Sequence, residues 1–266
     1  MHRQRLLLLL LLSFLDGTLG NISELVADCT DFQRCQCARG VTGGRPAMAI
    51  VTNTKTNRRC IGVLINDRYV ISTSECTVGL DQKIINPELI VTFENSNQEF
   101  DVSQIFVHHN HAREILPHLF DMMLIRLTLL VDMKKYVPIC LPHASLLVYS
   151  GTPAWVMTVG LRPLSVKVQT GTCSFMRQIG GHVRTIRVRP GMFLCVGNIK
   201  TSFCYTEPGY LLIMMVHGWY MLLGISSSNY LFPMCSYSQG LFSEVLPYRA
   251  WIRNITDDSS NCQFVY

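Results

Sequence analysis

Past residue 20 the sequence has no uninterrupted apolar run long enough to span a bilayer. The nearest, "LLIMMVHGWYMLLGI" (211–225), is broken by His217, Gly218 and Trp219 and reads as two buried strands joined by a turn. The C-terminal "DDSSNCQFVY" has no hydrophobic tail of the lipid-anchor kind. There is no internal repeat. Charged residues make up only 15% of the chain, and the formal net charge is a modest +5. That balance permits weak attraction to anionic surfaces, but the fold motifs of nucleic-acid binders are missing. Neither nucleic acid nor stable membrane insertion is expected.

What is present begins with the compartment. "MHRQR" is a short basic segment and "LLLLLLLSFL" an apolar stretch of signal-peptide length, with small residues at Thr18 and Gly20. Residues 1–20 therefore read as a signal peptide, and the chain as secreted. Eleven cysteines in an exported chain read as disulfides rather than a metal site. The number is odd, so at least one thiol is free, bonded to another chain or lost with a removed segment. Asn21-Ile-Ser and Asn254-Ile-Thr are acceptable glycosylation sequons.

Residues 21–40 are polar, hold Cys29, Cys35 and Cys37, and show neither strand nor helix period. They read as a disulfide-tethered leader. Beyond them, short β-branched stretches recur between turn signals: "AMAIVT", "CIGVLI", "RYVIST", "LIVTF", "MMLIRL", "AWVMTV", "TIRVR", "MFLCV", "YMLLGI". That spacing predicts an all-β sandwich or barrel. Only "SEVLPYRAWIRNI" (243–255) reads as a helix, with Leu246, Ala250 and Ile255 on one face.

Taken in order, six fragments resemble the chymotrypsin/trypsin-like serine proteases over nearly the whole mature chain. "CIGVLINDRYVISTSEC" (60–76) resembles the cysteine loop ending in "TAAHC", "FDMMLIRL" the "DIALLKL" strand, and "YVPICLP" the "VRPICLP" segment. "AWVMTVG" resembles "CxVTGWG", "MFLCVGNIKTSFCYTEPGYLLI" resembles "MLCAG…DSCxGDSGGPLV", and "GLFSEVLPYRAWI" resembles "GVYTRVSxYxxWI". The resemblance implies two six-stranded antiparallel β-barrels and a C-terminal helix, with homology over 41–256 and a polar tail over 257–266. It also implies a cleft between the barrels with a His base, an orienting Asp, a Ser nucleophile and two backbone N–H donors.

Carried over residue by residue, the histidine falls on Glu75, the aspartate on Asp121 and the serine on Pro208. Glu75 cannot act as an imidazole base held by Asp121, because two carboxylates repel. Pro208 has no hydroxyl, and without an N–H it also removes an oxyanion-hole donor. "GDSGG" has become Thr206-Glu207-Pro208-Gly209-Tyr210, so the tight backbone of that turn is not expected to survive. The substrate-pairing "SWG" is Ser227-Ser228-Asn229, Ser202 falls at the pocket floor and Gly240 on its wall. Cleavage after Arg39 would expose Gly40, one residue too many before the family's new N-terminus. Family-type proteolysis is not expected.

The same resemblance implies Cys60–Cys76 and Cys204–Cys235 bridges, a weaker Cys173–Cys195 match, and a bond from Cys140 to Cys29, Cys35 or Cys37. A fifth family bridge would join the positions of Ala154 and Met214, where both cysteines are replaced by apolar residues.

Three other groupings carry chemistry. Glu75 and Asp121 could form a carboxylate pair with one raised pKa, against a simpler reading in which Glu75 turns into solvent. His108, His109, His111 and His118 form a histidine cluster, but no cysteine or carboxylate completes a ligand set, so no metal or other cofactor is expected. "HVRTIRVRPG" puts Arg187 and Arg189 on one face of a strand, with Arg177 and Arg184 nearby. The expectation is a secreted, inactive protease homologue that binds an unidentified protein. The alternatives are sulfated-glycan binding through Arg184, Arg187 and Arg189, or a repurposed enzyme site on Glu75 and Asp121.

Overall fold

The computed structural model describes Cys37 and residues 45–77, 88–108, 121–171, 173–179, 182–188, 191–197, 208–226 and 240–259. Two closed six-stranded antiparallel barrels account for most of them. The first contains β1 (Met48–Asn53), β2 (Arg58–Leu64), β3 (Tyr69–Ser72), β4 (Leu89–Phe93), β5 (Glu99–Val107) and β6 (Met123–Leu127), in the order β1-β2-β3-β6-β5-β4. The chain next forms β7 (Pro153–Met157), β8 (Leu164–Gln169), β9 (Cys173–Ile179) and β10 (His182–Val188). It then adds β11 (Phe193–Gly197), β12 (Leu211–Val216), β13 (Trp219–Ile225) and β14 (Gly240–Glu244). The second barrel runs β11-β14-β13-β12-β7-β8, while β9 and β10 pair with each other as a separate ribbon.

Alternating sequence explains the barrel walls. In β4, Leu89, Val91 and Phe93 point inward while Ile90 and Thr92 are half-buried. In β8, Val166 and Val168 are buried between exposed Ser165, Lys167 and Gln169. This is the period of two that a closed sheet needs. Aromatic rings from β4, β5 and the following segment, Phe93, Phe100 and Tyr136, meet inside the first barrel with centroids 4.7–5.8 Å apart. A further apolar cluster joins the barrels: Ile61 and Ile71 from the first meet Leu211, Ile213 and Ile225 from the second, with Ile252 from the C-terminal helix.

That helix, α1, spans Arg249–Ile255, shorter than the sequence pattern suggests. Ser243 and Glu244 are taken by β14, where Ser243 pairs with both Phe193 and Ile225. A single 3₁₀ turn, Leu246–Tyr248, then accommodates Pro247, which has no N–H to donate. The buried residue of α1 is Ile252, whereas Ala250 is exposed. Barrel pairing overrides the helical period here.

The segment after α1 is anchored rather than free. Asp258 accepts hydrogen bonds from Tyr69 Oη (2.6 Å) and Arg126 Nε (2.9 Å), and pairs with Arg68 at 3.3 Å. Burial pushes the Asp258 carboxyl up, but the bonds from Tyr69 and Arg126 outweigh it and hold it below the usual range. In return, burial and then Asp258 push the Tyr69 phenol up to about 12. The start of the expected polar tail thus clasps the end of α1 to the first barrel.

Candidate functional site

Asp121 enters the site one residue after the undescribed span 109–120 and just before β6. It is 1% exposed. One carboxylate oxygen, Oδ2, accepts from Thr73 Oγ1 at 2.5 Å. The other, Oδ1, accepts from the Ser74 N–H at 2.8 Å and from Ser74 Oγ at 2.6 Å. Both donors come from the segment leaving β3, which pairs with β6 from Tyr69↔Arg126 to Ser72↔Met123. The strand register therefore delivers two hydroxyls to the buried carboxylate, the compensation a buried charge requires.

Glu75 lies in the 3₁₀ turn Ser74–Thr77 and is 3% exposed. Its Oε2 lies 2.6 Å from Arg58 Nη2, at the start of β2. The expectation that Glu75 turns into solvent is corrected: an ion pair holds it inside. The two carboxylates are engaged separately, Glu75 by Arg58 and Asp121 by Thr73 and Ser74. The shared-proton pair weighed from sequence has no support in this geometry.

Arg58 was missed in the sequence, although a signal for it existed. The Cys60–Cys76 disulfide joins the two segments, and Arg58 and Glu75 stand two and one residues before the bonded cysteines. Arg58 shares a strand face with Cys60, so the bond carries its guanidinium towards Glu75.

Pro208 is buried, and its carbonyl accepts the Ile61 N–H at 2.7 Å. Gly209 follows with φ +100 and donates its N–H to Ser226 O at 2.9 Å. A Cβ at Gly209 would stand 2.0 Å from Ile61 O. Tyr210 is 6% exposed in the second barrel's core, and its carbonyl accepts the Ser226 N–H. Of the turn expected to lose its tight backbone only the part from Pro208 onward is described, and there Gly209 supplies a positive φ. Thr206 and Glu207 lie outside the described residues, as do Arg39, Ser202 and Ser227-Ser228-Asn229.

Of the histidine cluster, His108 is 8% exposed and makes edge-on contacts with Tyr248 and Trp251, at 4.9 and 5.1 Å. It is part of an aromatic core. Burial, and then the negative charge of Asp121, push the Tyr248 phenol well above its ordinary range. Among the described residues no group of three His, Cys, Asp or Glu side chains is arranged to hold a metal ion. His109, His111 and His118 fall outside them.

Cys140 bonds Cys37, one of the three cysteines expected as its partner. Cys140 itself bridges Met221 of β13, so the bond sits on the second barrel. Cys195 is also disulfide-bonded. Cys29, Cys35, Cys204, Cys235 and Cys262 lie outside the described residues, and of Cys173 only the backbone is described. On β7 and β12, Trp155 pairs with Ile213 and Val156 with Leu212, so one further step sets Ala154 opposite Met214. Both are buried in the second barrel's core, which is how apolar atoms fill the place of a bridge. Asn254 is exposed near the end of α1, and Asn21 is not described.

The ribbon redistributes the arginines. Arg184 stands directly opposite Arg177, and Arg187 opposite Ser174. Arg184 and Arg187, three residues apart on one strand, occupy opposite faces. Arg189 lies outside the described residues.

Two closed antiparallel barrels packed through a shared apolar core, with a glycine turn of the second docked on β2 of the first, define a protein of the chymotrypsin-like double-barrel class. The trypsin family model matches residues 36–252, and the chain belongs to that family. It is 25% identical over 231 residues to vitamin K-dependent protein C of Mus musculus, covering 80% of this chain and 49% of that protein. It is 26% identical over 127 residues to coagulation factor IX of Oryctolagus cuniculus (47% and 46%). Over 224 residues it is 26% identical to the serine protease filzig of Drosophila melanogaster (76% and 13%). The chain thus spans about half or less of the length of these relatives. Among the described residues no helix is long and apolar enough to cross a membrane.

Proposed function

We propose that the protein is a secreted member of the trypsin family that has no proteolytic activity and acts by binding a protein partner. The observation that carries this reading is the state of the three triad positions. Glu75 is ion-paired to Arg58 and is not a base; Asp121 is occupied by Thr73 and Ser74; Pro208 stands where the nucleophile would be. General-base catalysis needs a group that can take the nucleophile's proton and be oriented by its neighbour. Here neither nucleophile nor base is available, and the N–H that would stabilise an oxyanion is absent with them. Meanwhile the barrels, the interbarrel core and the Cys37–Cys140 and Cys60–Cys76 disulfides remain, a scaffold that suits recognition surfaces.

Crosslinked affinity capture of the tagged mature protein from its secreting tissue, followed by mass spectrometry, tests the binding role. One dominant partner whose recovery saturates with added untagged protein is the expected result. Chaperones and background alone would remove the protein-partner reading.

A further inference from the structure

Charge is distributed unevenly along the chain. From Met133 to Ser243, a span that holds nearly all of the second barrel and the whole β9–β10 ribbon, Glu207 is the one acidic residue, while lysine and arginine recur from Lys134 to Lys200. Asp and Glu are instead frequent between Arg45 and Asp132. The basic character thus belongs to one half of the double barrel.

Within that half the ribbon has an unusual register. Its two strands contain Arg177, Arg184 and Arg187 and no acid. Arg177 and Arg184 are direct cross-strand partners. Directly opposed residues have Cβ atoms about 5 Å apart, and like charges so placed weaken the pairing. A single arginine per rung would suffice to keep a ribbon edge from aggregating. Two at one rung add a repulsion that edge protection does not require and that a bound anion relieves. On the same face the neighbouring rungs are Ile179–His182 and Phe175–Ile186, so the double charge is bordered by largely apolar positions.

We propose that the Arg177–Arg184 rung is the centre of a binding site for a sulfated glycan. A sulfate oxygen pair accepts the parallel N–H donors of a guanidinium fork, and two forks at one rung can hold one sulfate or two neighbouring ones. The chain reads as exported and lacks nucleic-acid-binding motifs, which favours a sulfated polysaccharide over nucleic acid among polyanions. Arg187, on the other face, is outside this site. The proposal does not depend on whether the cleft is catalytic.

The test measures binding of a size-defined heparin oligosaccharide to the full mature protein at several salt concentrations. The expected result is salt-sensitive binding that weakens at least about tenfold in Arg177→Gln/Arg184→Gln. The slope of log affinity against log salt should fall by about 1.5, since each lost ionic contact removes about 0.7–0.9. Arg187→Gln should weaken binding less than about threefold. The double variant should melt no lower than the parent, because a repulsion has been removed. Failure of the parent to bind would overturn the proposal, as would an equal loss in Arg187→Gln. So would a lower melting point of the double variant, or equally tight binding of desulfated heparin, oligothymidylate or phosphatidylserine vesicles.

Discussion

Gly209→Ala should lower the stability of the protein by about 4 kcal/mol or more, enough to suppress the yield of folded protein. Two costs combine at this position. The backbone sits at φ +100, a conformation that L side chains rarely adopt. The added methyl carbon would also stand 2.0 Å from the Ile61 carbonyl oxygen, far inside van der Waals contact, and that atom is backbone. Relief requires moving β2 away from the turn, which would break the bond from Ile61 N–H to Pro208 O and open the interbarrel core around Ile61. Gly160→Ala is the matching control. Gly160 also has positive φ, +74, but nothing lies within 4 Å of a Cβ built there. It should cost only about 1 kcal/mol. Folded yield and calorimetric melting of the two variants separate the effects. Equal losses would show that the turn is not docked on β2 as described.

Asp121→Ala should destabilise the fold by about 3 kcal/mol, a melting shift of about 8 °C for a chain of this size. Removing the carboxylate leaves the Thr73 hydroxyl, the Ser74 hydroxyl and the Ser74 N–H without the acceptor they now share, and both residues are fully buried. Losing a buried carboxylate returns part of its desolvation cost, which keeps the figure below the sum of three orphaned donors. Asp121→Asn preserves the shape and one acceptor oxygen and should cost roughly half as much. Thermal unfolding of both variants decides the matter. An unchanged melting point in Asp121→Ala would mean that the residue is not the structural keystone of the β3–β6 junction.

The barrels were legible because their signals are local and repeated: alternating strands, turn residues, and six fragments in family order. The same fragments single out Asp121, Pro208 and Glu75, but not what those residues contact. Glu75 pairs with Arg58, seventeen positions away, through a contact that only the Cys60–Cys76 bond makes local. Cys37 could not be told from Cys29 or Cys35, since all three stand in one polar segment without a period. In the β9–β10 ribbon, "TIRVR" carries a strand pattern, but its register with Arg177 depends on a partner strand that the arginine spacing does not identify. The helix is shorter than its apolar spacing implies, because that spacing cannot show that Ser243 and Glu244 are claimed by neighbouring strands. Local pattern specified the elements, and non-local pairing decided where they end and what their charges meet.

The central claim is a trypsin-family scaffold without turnover. Its most direct test incubates homogeneous mature protein with a diverse peptide library and a fluorophosphonate probe, then reads cleavage products and probe adducts by mass spectrometry. The expected result is neither cleavage nor a labelled serine. Cleavage that persists through purification and disappears in a folded Glu75→Gln or Asp121→Asn variant would contradict it, and would assign the cleft a chemistry of its own.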